Sequence, residues 1–343
     1  MQVLENYSLK HLNTFGVFVQ TKYFIEISDE VEIKGLFQSS IFKENKKLFL
    51  GGGSNVLFTS NFDGLVILNK LQGMEILEEN DEYVLVRSMG GEVWHDLVTF
   101  SVEKNLWGIE NLALVPGTVG AAPMQNIGAY GVELKDSIVN VEAFDIETGE
   151  QRIFKNEECM FGYRDSVFKN VLKDKYFITA ITLRLSKKEN KKLEYRVLKD
   201  YLAQNKIEIK NSKDVANAVS AIRRSKLPDP KVIGNAGSFF KNVFVSPEKL
   251  SEMLQIYKEI PYFNEDGLIK IPSAWMIEQC GPTNGISWKG YKIGNIGVHD
   301  KQALILVNHG GGTGEELYSL ALDIIDSVFK KFGIKITPEV NLI

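Results

Sequence analysis

Residues 111–131, NLALVPGTVGAAPMQNIGAYG, carry no charged side chain, although the chain as a whole is 24% charged. Pro116, Pro123 and four glycines break this run, so it cannot supply the roughly 20 continuous apolar residues that a membrane span needs. Its apolar positions also lack the period of an ordinary core helix. Gly117, Gly120, Gly128 and Gly131 have no Cβ and tolerate positive φ, so the main chain here can be approached closely. Two readings are open from this segment alone. Backbone amides surround something large, flat and anionic, such as a dinucleotide, or the run is a buried glycine-rich turn without a ligand.

A chain of 343 residues exceeds one typical domain, and two or three are expected. Its 44% hydrophobic content is that of a soluble globular protein. A net charge of −4 gives neither a nucleic-acid nor a membrane footprint. Cys159 and Cys280 lie far apart without a CxxC, which argues against a disulfide framework and a structural zinc site. His11, His95, His299 and His309 show no metal-ligand spacing, so no metal is expected. The amino terminus MQVLENYSLKHLNTFG lacks a basic stretch followed by an apolar one, and the cytoplasm is the expected location.

The first two thirds read as mixed strand and helix. LFLGGGSNVLF (48–58) is a strand entering a glycine turn, and YVLVRSM (83–89) is another strand. EVWHDLVTFSVEKN (92–105) places Trp94, Leu97, Val98 and Val102 on one helical face. VEAFDIETGEQRIF (141–154) predicts a hairpin around Thr148-Gly149. In FITAITLRL (177–185), Phe177, Ile181, Leu183 and Leu185 fall on one strand face, with Thr182 and Arg184 on the other. The charge run SKKENKK (186–192) reads as a solvated linker. Beyond it, Ser212 is placed to cap a helix carrying Val215, Val219 and Ile222. Ser246-Pro247 starts a helix with Leu250, Leu254 and Tyr257 inward. Thr313 and Glu316 form a capping box for a helix with Leu317, Leu320, Ala321, Ile324 and Val328 inward, closed by Lys330, Lys331 and Gly333. A strand IKITPEV (334–340) follows.

No Walker motif occurs, and Gly51-Gly52-Gly53 fails the dinucleotide fingerprint because Val56 stands where the third glycine belongs. GGGSNVLF reads better as an anion nest, with amides from Gly51 to Asn55 and donors from Ser54 and Asn55. Gly310-Gly311-Gly312 reads as a surface turn. In FGYRDSVFK (161–169), Arg164 offers a planar fork to a carboxylate or phosphate, or else pairs with Asp165 at the surface. In KLPDPKVIGNAGSFFKN (226–242), small residues surround Ser238, which lacks the spacing of a hydrolase nucleophile elbow. Glu339 lies in an apolar strand context, either partnered or on a solvent-facing edge.

GGGSNVLF, NLALVPGTVGAAPMQNIGAYGVEL, FGYRDSVFK, KLPDPKVIGNAGSFFKN, VHDKQALILVN and the terminal PEV occur in that order. From LNTFG at 12–16 to Glu339 the chain resembles the UDP-N-acetylenolpyruvoylglucosamine reductases, also called UDP-N-acetylmuramate dehydrogenases. Its length and Tyr195 are similar to the longer class of that family, in which a tyrosine loop closes over substrate. That tyrosine is usually followed by Gly-x-Leu, whereas Arg196-Val197-Leu198 follows here, a departure that bears on the lid.

The resemblance implies an α+β protein, with a two-subdomain FAD-binding fold of vanillyl-alcohol-oxidase type and a C-terminal α+β substrate-binding domain. The expected boundaries are 1–70 and 71–200 for the FAD-binding subdomains and 201–343 for the substrate domain, with strand 334–343 a candidate to return to the first. It implies NADPH-dependent, FAD-mediated reduction of UDP-N-acetylglucosamine enolpyruvate to UDP-N-acetylmuramate, by a bacterial cytoplasmic monomer. FAD is held non-covalently by Gly51, Gly52, Gly53, Ser54, Asn55, Pro116, Gly117, Ala121, Ala122 and Gly128. Arg164 and Glu339 stabilise the enolate formed when hydride adds to the vinyl carbon, and Ser238 protonates it. Lys226 and Tyr195 match diphosphate-binding positions, and Tyr163, Asn242, Tyr262, Lys270 and Gln302 match further substrate contacts. Two other readings are a flavin oxidase of the same fold and a non-catalytic flavin or nucleotide-sugar sensor.

Overall fold

The eleven-residue strand Tyr176–Ser186 is the centre of an antiparallel sheet, flanked by Ile138–Asp145 and Tyr83–Met89 and then by Gln151–Lys155 and Met74–Glu79. The structure is a computed structural model that describes residues 2–265 and 267–343. Its helices and small sheets are of the expected α+β class. The chain divides into two units. One runs up to Tyr7 and continues through Thr21–Gly53 and Asp63–Ser225; the other comprises Ser8–Gln20, Ser54–Phe62 and Lys226–Ile343.

In the first unit the period of the central strand breaks once. Glu142 pairs with Ala180 but Ala143 pairs with Ile178, so Thr179 is an extra residue. Such a bulge reverses the alternation of side chains. Ile181, Leu183 and Leu185 therefore join the apolar cluster that contains Trp94, Leu97, Val98 and Val102 of helix Trp94–Glu103. Phe177 goes instead to a second cluster, with Ile33, Leu36 and Phe37 of helix Val31–Gln38. The expectation that Phe177 shares a face with Ile181 is thus corrected. The hairpin is as expected: Phe144 lies opposite Gln151, and Gly149 turns the chain at φ +71°.

Helix Ser212–Lys226 buries Val215, Val219 and Ile222 in the first of these clusters. That burial carries the first unit past residue 201 to Ser225. Its cap is Asn211 rather than Ser212: the Asp214 N–H donates to Asn211 Oδ1 at 3.0 Å, and Asp214 Oδ2 accepts from Lys210 N–H at 2.8 Å. Ser212 is the first helical residue, and its buried hydroxyl has no partner.

In the second unit, helix Gly314–Phe332 has the expected Thr313–Glu316 capping box and a left-handed Gly333 at its end. Helix Pro247–Ile256 starts with the Lys249 N–H donating to the Ser246 hydroxyl, but it buries Leu250 and Met253 rather than Leu254. The carboxyl-terminal strand is shorter and later than expected. Pro338 makes only an isolated bridge to Phe240, since proline cannot donate to a ladder. The strand is Asn341–Leu342, parallel to Val56–Leu57. Among the described residues no helix is long and apolar enough to cross a membrane.

The cap assignment is testable by urea unfolding. Asn211→Ala should lower stability by about 1 kcal/mol, as loss of a capping side chain does. Ser212→Ala should be near neutral, because it removes a buried hydroxyl that bonds to nothing. The reverse order of effects would restore Ser212 as the cap.

Candidate active site

The two glycine segments meet inside the first unit. A Cβ on Gly51 would lie 2.4 Å from Thr118 Oγ1, and one on Gly52 would lie 3.1 Å from Gly117 Cα. These glycines therefore let one loop approach the other, while Gly53 supplies a left-handed turn at φ +60°. The Gly120 N–H donates to Gly90 O at 2.8 Å, which fixes the second loop from another side. Val119–Gln125 winds as 3₁₀-helix, and the Ala122 side chain is buried in the apolar core, so only its backbone can serve a ligand. Pro116 and Ala121 are exposed. The Thr118 hydroxyl is buried without a partner. An uncharged backbone cradle with an unsatisfied hydroxyl fits a dinucleotide such as FAD. Asn55 lies in the second unit, where its amide donates to the Glu339 carbonyl at 3.3 Å and its own carbonyl accepts from Asn341 N–H at 3.0 Å.

One more contact sets this cradle. Leu114 has a left-handed backbone at φ +56°, and its N–H donates to His95 Nδ1 at 3.2 Å. Burial pushes the His95 pKa below its ordinary 6.5, with Arg224 and Arg223 acting in the same sense and Asp96 opposing. The imidazole is thereby kept neutral, as an acceptor must be.

Arg164 sits in a tight turn closed by two hydrogen bonds between Gly162 and Asp165, with its backbone left-handed at φ +52°. Its Nη2 donates to Gly128 O at 2.9 Å, and its guanidinium lies 5.4 Å from the centre of the Tyr163 ring. A Cβ on Gly128 would come within 3.1 Å of Arg164 Nη1. Gly128 is thus a seat for this arginine. Asp165 is turned to Asn170, whose amide donates to it at 2.9 Å.

Tyr195 is exposed, and its ring meets that of Tyr130 edge-on at 5.6 Å. Tyr130 and Gly131, at φ +49° and +82°, form the two-residue turn of the hairpin Gly128–Ala129 and Val132–Glu133. The Arg223 guanidinium lies near enough to the Tyr130 phenol to oppose the upward push that burial gives the phenol's pKa. Burial pushes the Arg223 pKa down, Tyr130 supports its charge, and Arg164 opposes it. Arg223 and Tyr130 were not singled out by the sequence reading. Arg223 lies one helical turn before Lys226, a spacing that could have found it.

In the second unit, Asn235 shapes the chain before Ser238. Its amide donates to Pro228 O and Ile233 O, and its Oδ1 accepts from Gly237 N–H at 3.0 Å. Gly237 is left-handed at φ +67°, after which Phe239 and Phe240 turn into the core and Ser238 stays exposed. The Glu339 N–H donates to Phe239 O at 2.7 Å, which sets the Glu339 segment beside Ser238. Asn242 Oδ1 accepts from Ser273 N–H at 3.1 Å, and Lys270 lies on the strand Leu268–Ile271 between Phe244 and Phe263. Tyr262 and Lys226 are exposed. The Gln302 carbonyl accepts from Ile305 N–H at 3.1 Å. Gly310 and Gly312 donate to buried Asn308, so the glycine triplet is a structural turn. The predicted set thus divides, with the Gly51–Gly53 cradle, Tyr163, Arg164 and Tyr195 in one unit and Ser54, Asn55, Lys226, Ser238, Asn242, Tyr262, Lys270, Gln302 and Glu339 in the other. No cluster of His, Cys, Asp and Glu among the described residues could hold a metal.

Residues 22–154 match the FAD-binding domain family, and residues 229–343 match the C-terminal domain family of UDP-N-acetylenolpyruvoylglucosamine reductase. These two families together define an FAD-dependent oxidoreductase. The UDP-N-acetylenolpyruvoylglucosamine reductase of Flavobacterium johnsoniae is 45% identical over 348 residues, covering 100% of both chains. That of Pseudomonas aeruginosa is 41% identical, covering 100% of this chain and 99% of its own. The chain belongs to the UDP-N-acetylenolpyruvoylglucosamine reductase family. Its fold is also similar to the solved structure of the Thermus caldophilus enzyme (UDP-N-acetylenolpyruvylglucosamine reductase), with a TM-score of 0.64 at 20% identity, covering 99% of this chain and 98% of that one.

The state of His95 gives a pH test. Its folded pKa is lowered, so below the ordinary 6.5 the unfolded chain takes up a proton that the folded chain refuses. Stability from this group is complete above that value and is lost as the pH falls toward the folded pKa. His95→Gln cannot titrate and should lose this part of the acid sensitivity. Urea midpoints of the two proteins should therefore draw together as the pH falls from 7.5 to 5, and parallel pH profiles would refute the role.

Proposed function

We infer that the chain reduces the enolpyruvyl ether of UDP-N-acetylglucosamine enolpyruvate to UDP-N-acetylmuramate, with NADPH as hydride donor and FAD held non-covalently. It acts on this small-molecule nucleotide sugar as a monomer in the bacterial cytoplasm, in peptidoglycan precursor synthesis. The observation that carries the reading is Ser238, exposed after a left-handed Gly237 and beside the Glu339 segment. FAD, when bound, supplies to the vinyl carbon the hydride that it has taken from NADPH. The cradle of Gly51–Gly53, Pro116, Gly117, Thr118 and Ala121 would hold it. Burial pushes the Cys159 thiol up to about 12, which keeps it unreactive.

Hydride addition leaves negative charge beside a carboxylate, so the problem for the protein is a near-dianion. Preorganised donors in a dry site supply roughly 3–4 kcal/mol each, about 10²–10³ in rate. Arg164 offers its planar fork to the carboxylate, steadied by Gly128 O and Tyr163. Glu339 is assigned to the enolate alongside Arg164. Ser238 then protonates the carbon: its O–H bond breaks, a C–H bond forms, and water reprotonates the alkoxide. A serine hydroxyl is a weak acid and serves here only because a carbanion-like enolate is far more basic. Lys226 and Tyr195 take the diphosphate. Tyr163, Asn242, Tyr262, Lys270 and Gln302 contact the rest of the substrate.

The flavin absorbance, followed anaerobically, separates the two half-reactions. Ser238→Ala should leave reduction by NADPH nearly intact and slow reoxidation by the enolpyruvyl substrate roughly 10²–10⁴-fold. Equal slowing of both halves in a folded, flavin-loaded variant would remove Ser238 as proton donor. Arg164→Lys keeps the charge but loses the fork, and should lower kcat about 10²-fold. Turnover near that of the parent would move Arg164 away from the reacting centre.

A further inference from the structure

We propose that Asn111 is a positioning residue for Tyr195, through a double hydrogen bond that ties the arm carrying Tyr195 to the turn beneath it. This rests on the reading of Tyr195 as a substrate-binding residue. Asn111 is completely buried, and its Nδ2 donates to Tyr130 O at 2.9 Å and to Lys192 O at 2.8 Å. Both amide hydrogens are used, while Oδ1 is buried without a partner. A flipped amide would set its oxygen against two carbonyls, so the donors fix the orientation.

The two bonded carbonyls bracket Tyr195. Residues 187–194 form neither helix nor strand, and their first lysines, Lys187 and Lys188, reach Glu79 and Glu82. Lys192 lies three residues before Tyr195, and Leu193 packs on the core. Tyr195 then opens helix Arg196–Gln204, its carbonyl accepting from Leu198 and Lys199. On the other side, Tyr130 is the surface against which the Tyr195 ring rests, and Gly131 brings that turn to within 3.7 Å of Tyr195 Cβ, measured from the Cβ it lacks. A left-handed tyrosine is strained, and a bond to its carbonyl helps hold it. One buried amide therefore sets both the arm and its resting surface, and it does so without touching substrate.

Asn111→Ala should raise KM for UDP-N-acetylglucosamine enolpyruvate roughly tenfold, with kcat changed less than about twofold. In the Tyr195→Ala background the same change should add nothing, since residues acting through one another are not additive. In the substrate-free protein, trypsin should cut Asn111→Ala after Lys187–Lys192 faster than the parent. A folded variant with parental KM and parental cleavage, or with effects that add to those of Tyr195→Ala, overturns the proposal. If Tyr195→Ala itself leaves KM unchanged, the reading of Tyr195 fails, and the trypsin rates alone then decide whether Asn111 holds the arm. Should Asn111→Ala not fold, Asn111→Ser carries the same tests, with one donor retained and a smaller rise in KM and cleavage expected.

Discussion

Glycine packed closely against neighbouring chain is the constraint on which the candidate cofactor cradle depends. Gly51 and Gly52 meet Thr118 and Gly117, and Gly120 meets Gly90 where a Cβ would be 3.0 Å from the Gly90 Cα. Gly90 and Gly91 are themselves pressed against the carbonyls of Ile178 and Leu71. A line of close glycine contacts thus runs from the central strand to the loop at 116–121, with the Asn69 amide wedged against Gly90 and Gly120 and the Thr118 hydroxyl against Gly51. Any Cβ along it would push that loop away. The loop carries no charge of its own, so the potential within it comes from backbone dipoles held in place before a ligand arrives. Fixed dipoles cost no reorganisation when charge develops, which is why such loops suit anionic ligands.

Much of the architecture was legible because it is local. Trp94, Leu97, Val98 and Val102 announce their helix by spacing, and Thr313 with Glu316 announces the start of another. The misreadings came where a partner distant in sequence decides. Phe177 changes face because the neighbouring strand is out of step at Thr179, and nothing in FITAITLRL alone encodes that. Ser212 lost the cap to Asn211 because Asp214 bonds back to the preceding amides.

The site was legible in a different way. Order and wording of the motifs pointed to Arg164, Ser238 and Glu339 as candidates, but composition could not show that glycines of the expected cofactor set also meet another loop. Gly51, Gly52 and Gly128 serve packing as well: the first two admit a loop, and the third admits a guanidinium. The roles of Asn111 and His95 escaped notice because a side chain that bonds only to backbone leaves no pattern in sequence. The two nonetheless fix the ends of the charge-free run, His95 at Leu114 and Asn111 at Tyr130.

Charge explains why so much of the first unit is devoted to restraining that run. Arg223 is already disfavoured by burial, and Arg164 repels it further. A second positive charge adds to the cost of burying the Arg223 guanidinium, and an anion beside it would lower that cost. The phenol of Tyr130 compensates Arg223 in part, yet burial drives its own pKa upward and keeps it a neutral dipole. The fold seats Arg164 on the carbonyl of Gly128 and keeps Arg223 near the phenol of Tyr130, two residues along the same hairpin. Under the proposed function, this positive charge would meet a substrate bearing a carboxylate and a diphosphate. The interaction would strengthen most when the substrate gains a further negative charge, which is the condition for stabilising a transition state rather than merely binding.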